Sequence, residues 1–312
     1  MCIFSTAYAE EIRVIPIGKT VGVRLYTDGL LVIGSSEVNG RNIAKECGIE
    51  INDRIVSVNN QNIDTTEEFS KIVNENPDGV ELSILRDNKN LTIEAIPECS
   101  TDEIYRLGLW VRDSTAGIGT VTYYNPSDNT FAALGHGIND IDTGNILSVK
   151  SGNILHCDIL SVTKSKKGVP GEINASFSGE SIGNIDINSQ IGIFGKMSCD
   201  EYENCSETIP VATKSQVREG DAYIITVAFG GEQEQYSIKI KKITDNVDKA
   251  LIIEITDERL IEQSGGIVQG MSGSPIIQDN KIVGAVTHVF VNSPLKGYGT
   301  LAESMIDISN KT

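Results

Sequence analysis

The chemistry open to this chain is concentrated in six residues, Gly270-Met271-Ser272-Gly273-Ser274-Pro275. A serine with glycine two places before it and another just after it can sit on a tight turn, because glycine reaches positive φ without steric cost. Such a turn exposes a hydroxyl and points backbone N–H groups inward. Inward amides of this kind can cradle an oxyanion, worth about 3 kcal/mol per donor. A serine hydroxyl at neutral pH needs a base. The chain has three histidines, His136, His156 and His288. His136 closes the small-residue run Phe131-Ala132-Ala133-Leu134-Gly135, a strand end that would carry an imidazole to a turn. Hydroxyl, imidazole and amide cradle are together the parts of an acyl-transfer site.

The neighbouring elements must hold these groups in place. After Ser272, Ile276-Ile277, the polar turn 278–281 and the apolar run 282–287 read as a hairpin returning toward the serine. That spacing resembles the trypsin-like pattern, which implies that the returning strand binds substrate backbone and that the N–H groups of the serine and of the residue two before it, here Ser272 and Gly270, hold the oxyanion. The competing reading is a glycine-rich hairpin with an inert serine. His288 on the returning strand reads as a structural histidine, with a place facing the cleft as its alternative, and His156 beside Cys157 reads as structural. No glycine turn frames Cys157, and Asp140 and Asp142 read as turn carboxylates.

Composition narrows the classes. A chain of 312 residues is expected to split into two domains. Thirty glycines, many Val and Ile residues and few helical periodicities indicate a mostly β protein. The net charge of −17 argues against nucleic acid or an anionic membrane surface as a partner. The six cysteines include no C-x-x-C pair and the histidines no paired spacing, so no metal and no cofactor is expected. Free thiols are the default, with Cys199 and Cys205 able to close a small loop in an oxidising compartment. Residues 1–11 end their apolar part in Ala7-Tyr8-Ala9, like the end of an export signal, without the basic region and long apolar core of a complete one. The lysines of 164–167 and 239–242 read as solvated faces or loop tips.

Residues 12–97 read as a self-contained α+β module. Its stretch 44–61 loosely follows the A-x-x-A-G-(I/L)-x-x-G-D-x-I-x-x-(V/I)-N-G pattern and resembles a PDZ domain of the bacterial protease-associated kind. Asn52 and Asn60 stand where that pattern has glycine, and asparagine tolerates the positive φ required. The resemblance implies a peptide added as a strand beside the loop at Val21, Gly22 and Val23. A polar linker, 98–104, follows. From 105 to 312 strands and turns recur at the rhythm of a barrel protein.

Four stretches, YRLGLWVRDSTAGIGTVTYYNP, ALGHGINDIDTG, GEINASFSGESIGNID with GIFG, and GGIVQGMSGSPIIQDNKIVGAVTHVFVNSPLKGYG, together resemble the stage IV sporulation protein B (SpoIVB) peptidases of endospore-forming bacteria. The resemblance implies a PDZ domain followed by a trypsin-like double β-barrel serine endopeptidase, exported across the forespore membrane. It further implies an enzyme that trims itself and cleaves a membrane-associated regulatory partner, triggering sigma-factor processing. Carried over by position, Ser272 is the nucleophile, His136 the base, and Asp257 the acid that orients His136. Asp186 is the second candidate acid, and a dyad without an acid is the third arrangement. A signalling or scaffold protein with a PDZ module and a silent barrel is the alternative class.

Overall fold

The computed structural model describes residues 11–87, 89–141, 144–198, 207–226 and 233–311. Ala7-Tyr8-Ala9, Asp142, Cys199 and Cys205 lie outside the described residues.

The chain divides into two compact units. The larger comprises residues 1–23, 117–138 and 153–312, the smaller 24–116 and 139–152. This differs from the boundaries at 12–97, 98–104 and 105–312. Strand Arg13–Pro16 pairs with Tyr123 and Tyr124 on one side and with Ile209 and Pro210 on the other, so it belongs to the larger unit. Conversely, Leu107 is buried in the core of the smaller unit. The 16-residue strand Thr20–Ser35 contributes to both.

In the larger unit, the part of strand Leu109–Asn125 from residue 117 onward and strands Thr130–Ala133, Gly192–Met197 and Gly171–Ser189 are successive antiparallel neighbours. Gly220–Thr226, Glu234–Ile243, Leu251–Ile255, Ser293–Leu301, Lys281–Phe290 and Pro275–Gln278 close into a barrel. Alternation shows why. Along Glu234–Ile243, Tyr236, Ile238 and Ile240 point into the barrel, while Lys239, Lys241 and Lys242 stay exposed. The turn at 279–280 has both residues at positive φ, 52° and 60°, the geometry that matches the twist of a two-residue hairpin. No helix among the described residues is long and apolar enough to cross a membrane.

The smaller unit packs Leu30, Val32, Ile55, Leu82 and Ile84 from its strands against Phe69 and Val73 of helix Thr66–Glu75. Thr65 and Glu68 form a reciprocal capping box at the start of that helix. Gly48, at φ 76°, ends helix Ile43–Cys47. Asn52 and Asn60 take φ values of 78° and 62°, the conformation for which the pattern elsewhere has glycine.

The peptide loop expected at Val21, Gly22 and Val23 is not there. These residues are buried strand positions of the larger unit, and a Cβ on Gly22 would come within 2.5 Å of the Phe177 ring. In the smaller unit the chain supplies its own segment beside the helix. The Ser36 N–H donates to the Gly108 carbonyl at 2.7 Å. Leu107, Leu109 and Val111 pack on the same core as Phe69 and Val73.

Asp53 is fully buried and accepts two 2.6 Å hydrogen bonds from Arg86. Removing the cation would leave an uncompensated buried carboxylate. Arg86→Ala is expected to destabilise the smaller unit by about 3 kcal/mol, read as a lower midpoint in urea unfolding. An unchanged midpoint would contradict this.

Candidate active site

The turn carrying Ser272 is shaped by backbone contacts. Gly270 and Gly273 sit at φ 98° and 99°. A Cβ on Gly273 would lie 1.9 Å from the Thr120 carbonyl oxygen, so only glycine fits there. Of the five amides from 270 to 274, those of Met271, Gly273 and Ser274 donate to the carbonyls of Val268, Val286 and Met271.

Thr120, a residue the sequence reading passed over, braces this turn. Its N–H donates to the Ser272 carbonyl at 2.8 Å and its Oγ1 to the Gly270 carbonyl at 2.7 Å. Its own carbonyl accepts from Leu134 N–H at 3.1 Å. Nothing in Gly119-Thr120-Val121 marks the threonine in the sequence, and its complete burial shows only in the fold.

His136 follows two left-handed residues, Leu134 at φ 69° and Gly135 at φ 68°. A leucine held at positive φ costs about 1 kcal/mol, and the pair turns the chain sharply at the end of Thr130–Ala133. A Cβ on Gly135 would lie 3.0 Å from Thr287 Cγ2 and 3.1 Å from the Val286 carbonyl, so this corner rests on strand Lys281–Phe290. The Ser272 hydroxyl donates to the Thr287 carbonyl of the same strand at 2.5 Å. Both candidate groups therefore meet at residues 286–288.

His136 is half-buried. Burial pushes its imidazole below the ordinary value of 6.5, opposed by a hydrogen bond to the Gly137 carbonyl. That bond, 2.8 Å from Nδ1, requires the proton on Nδ1 because a carbonyl only accepts. The neutral ring therefore leaves the Nε2 lone pair free. The His288 ring stands 4.6 Å from that of His136, centroid to centroid. Desolvation pushes His288 down to about 4, helped by His136 and Lys249. His288 is itself exposed on its strand, and solvent screens that shift.

The acid expected at Asp257 does not reach His136. Asp257 is the N-cap of helix Glu258–Ser264, accepting from the Arg259 and Ser237 amides and from the Arg259 guanidinium. These contacts hold its carboxyl below the usual range against the opposing effect of burial. A capping carboxylate at the start of a helix has its oxygens committed locally. Asp186 is exposed, beside a register shift between Ile185 and Ile187. Asp140, expected in a turn, is buried in the smaller unit and ion-paired with Arg112. His156 lies half-buried on strand Val149–Thr163. Burial, with Asp158 adding to it, pushes the Cys157 thiol up to about 11, which disfavours a thiolate nucleophile.

A closed β-barrel bearing a glycine-framed serine next to a histidine strand end defines a β-barrel serine endopeptidase. The SpoIVB peptidase S55 model matches residues 103–306 and a PDZ domain model matches residues 35–86. The chain belongs to the SpoIVB peptidase S55 family. No curated protein matches it significantly. Among solved structures it is similar to the active form of the Rv3671c protease from M. tuberculosis, at 11% identity and a TM-score of 0.34. That match covers 62% of this chain and 72% of the other. It is also similar to the thermostable serine protease AL20 from an extremophilic microorganism, at 11% identity and a TM-score of 0.39, covering 63% and 90%. These scores are low, and the assignment rests on the family match.

Variants at two positions test the geometry. Thr120→Val deletes one hydroxyl and leaves the buried Gly270 carbonyl without that donor. It should cost about 1 kcal/mol in urea unfolding and slow fluorophosphonate labelling, and equal labelling would remove Thr120 from the site. Asp257→Ala should lower stability by about 1 kcal/mol, while Asp257→Asn, also a good N-cap, should be nearly neutral. Equal melting of all three chains would remove the capping role.

Proposed function

We propose that Ser272 and His136 form the catalytic pair of this serine endopeptidase. Ser272 Oγ turns from the Thr287 carbonyl toward His136 Nε2, gives up its proton there and attacks the peptide carbonyl carbon. The oxyanion accepts hydrogen bonds from the Gly270 and Ser272 amides. As the intermediate collapses, Nε2 returns the proton to the leaving amine, and water then hydrolyses the acyl-enzyme by the same exchange. The convergence of both groups on residues 286–288 carries the reading. In this role Gly137 takes over tautomer selection from an acid, a neutral acceptor in place of a carboxylate.

Family membership supports a finer proposal: cleavage of the chain's own N-terminal region and of a membrane-associated regulatory protein, in the space across the forespore membrane, to release sigma-factor processing during sporulation. The PDZ module would present peptide substrates or regulate the barrel. The rival reading, a silent scaffold, draws on the Ser272 hydroxyl being bonded to a carbonyl and not to the imidazole.

A fluorophosphonate separates the two. Labelling is expected in the parent chain and should disappear in Ser272→Ala and His136→Ala; an unlabelled parent, or full labelling of either variant, would favour the scaffold. Because burial disfavours the imidazolium, His136 stays neutral below the ordinary value of 6.5. The labelling rate should therefore be flat above that pH and fall on its acid side. An acid midpoint above 6.5 would contradict a buried histidine base. The same shift has a stability consequence. The unfolded chain takes up the proton more readily than the folded one, so this contribution to stability is complete above 6.5 and fades as the pH drops through the lowered value.

A further inference from the structure

One hydrogen bond from Nδ1 to the adjacent residue selects the His136 tautomer but does little to stop the ring from swinging. The group packed against the ring is His288, at 4.6 Å between centroids and 33° between planes. Its placement there is built into the strand. Val286 pairs with Gly299 and Val289 with Gly297, so Thr287 and His288 together oppose Tyr298. This is a β-bulge, a device that breaks alternation and re-aims a side chain. Gly297 makes room for it, since a Cβ at that position would come within 2.6 Å of the His288 carbonyl. The same bulge offers the Thr287 carbonyl to Ser272 Oγ.

We propose that His288 is a positioning residue whose ring, stacked on His136, holds the imidazole with Nε2 directed at Ser272. This rests on the catalytic pair proposed above and assigns to a second imidazole the orienting work expected of Asp257. Among the described residues, the influences on His136 are its burial and the Gly137 carbonyl. Those on His288 are burial, His136, and the turn residues Lys249 and Asp248. A His288 kept neutral in this way places no second positive charge against His136 when that ring takes the serine proton.

The test uses the full chain and the rate of fluorophosphonate labelling from about pH 4 to about pH 9. In His288→Ala the plateau rate should fall about tenfold, and the acid midpoint should move up toward 6.5 as water reaches His136. His288→Phe keeps a flat ring and should hold both the rate and the midpoint near those of the parent. If His288→Ala does not fold, His288→Leu, which fills the volume without a planar ring, should show the same two changes. A parental rate and midpoint in the alanine or leucine variant would overturn the proposal, as would a phenylalanine variant as impaired as either. Absence of Ser272-dependent labelling in the parent would overturn the catalytic pair itself, whereas labelling indifferent to residue 288 overturns only the positioning role.

Discussion

The site depends on one residue that does no chemistry. Thr120 uses its amide, its carbonyl and its hydroxyl at once, reaching Ser272, Leu134 and Gly270 within 3.1 Å. It thereby ties the turn that carries Ser272 to the corner that ends in His136. Each of these bonds is worth about 1 kcal/mol net, modest against a domain core. Their value is geometric, because a misplacement of about 1 Å between reacting groups can cost about a hundredfold in rate. The carbonyls of Gly270 and Ser272 are both held by this one residue.

Much of the fold was legible in the residues. Alternation along 234–243, the glycine stop at Gly48, the capping box at Thr65 and the positive φ at Asn52 and Asn60 are local effects, and each occurs where local rules put it. Unit boundaries were less legible because they depend on pairing between distant segments. Nothing near Arg13 announces that its strand will pair with Tyr123, Tyr124, Ile209 and Pro210. The peptide loop assigned to Val21, Gly22 and Val23 failed for the same reason: TVGV suits a loop beside a PDZ sheet or a buried strand equally well.

At the site, types and spacing pointed to Ser272, His136 and the Gly270 amide, since a glycine-framed turn and a histidine at a strand end leave marks in the sequence. The partner of His136 left none. A backbone carbonyl such as that of Gly137 is present at every residue, and a bulge such as that at Thr287 and His288 emerges only once the opposing strand is in register. Asp257 shows the reverse hazard. An aspartate before a helix reads as a catalytic acid by position, while its oxygens serve the Arg259 and Ser237 amides.

Gly273 has a wider implication for how this protein can diverge. Every replacement there introduces a Cβ 1.9 Å from the Thr120 carbonyl, a contact with peptide backbone that no rotamer can relieve. Position 273 therefore has no accessible neighbour in sequence space. The turn and the strand that braces it can drift only as a pair.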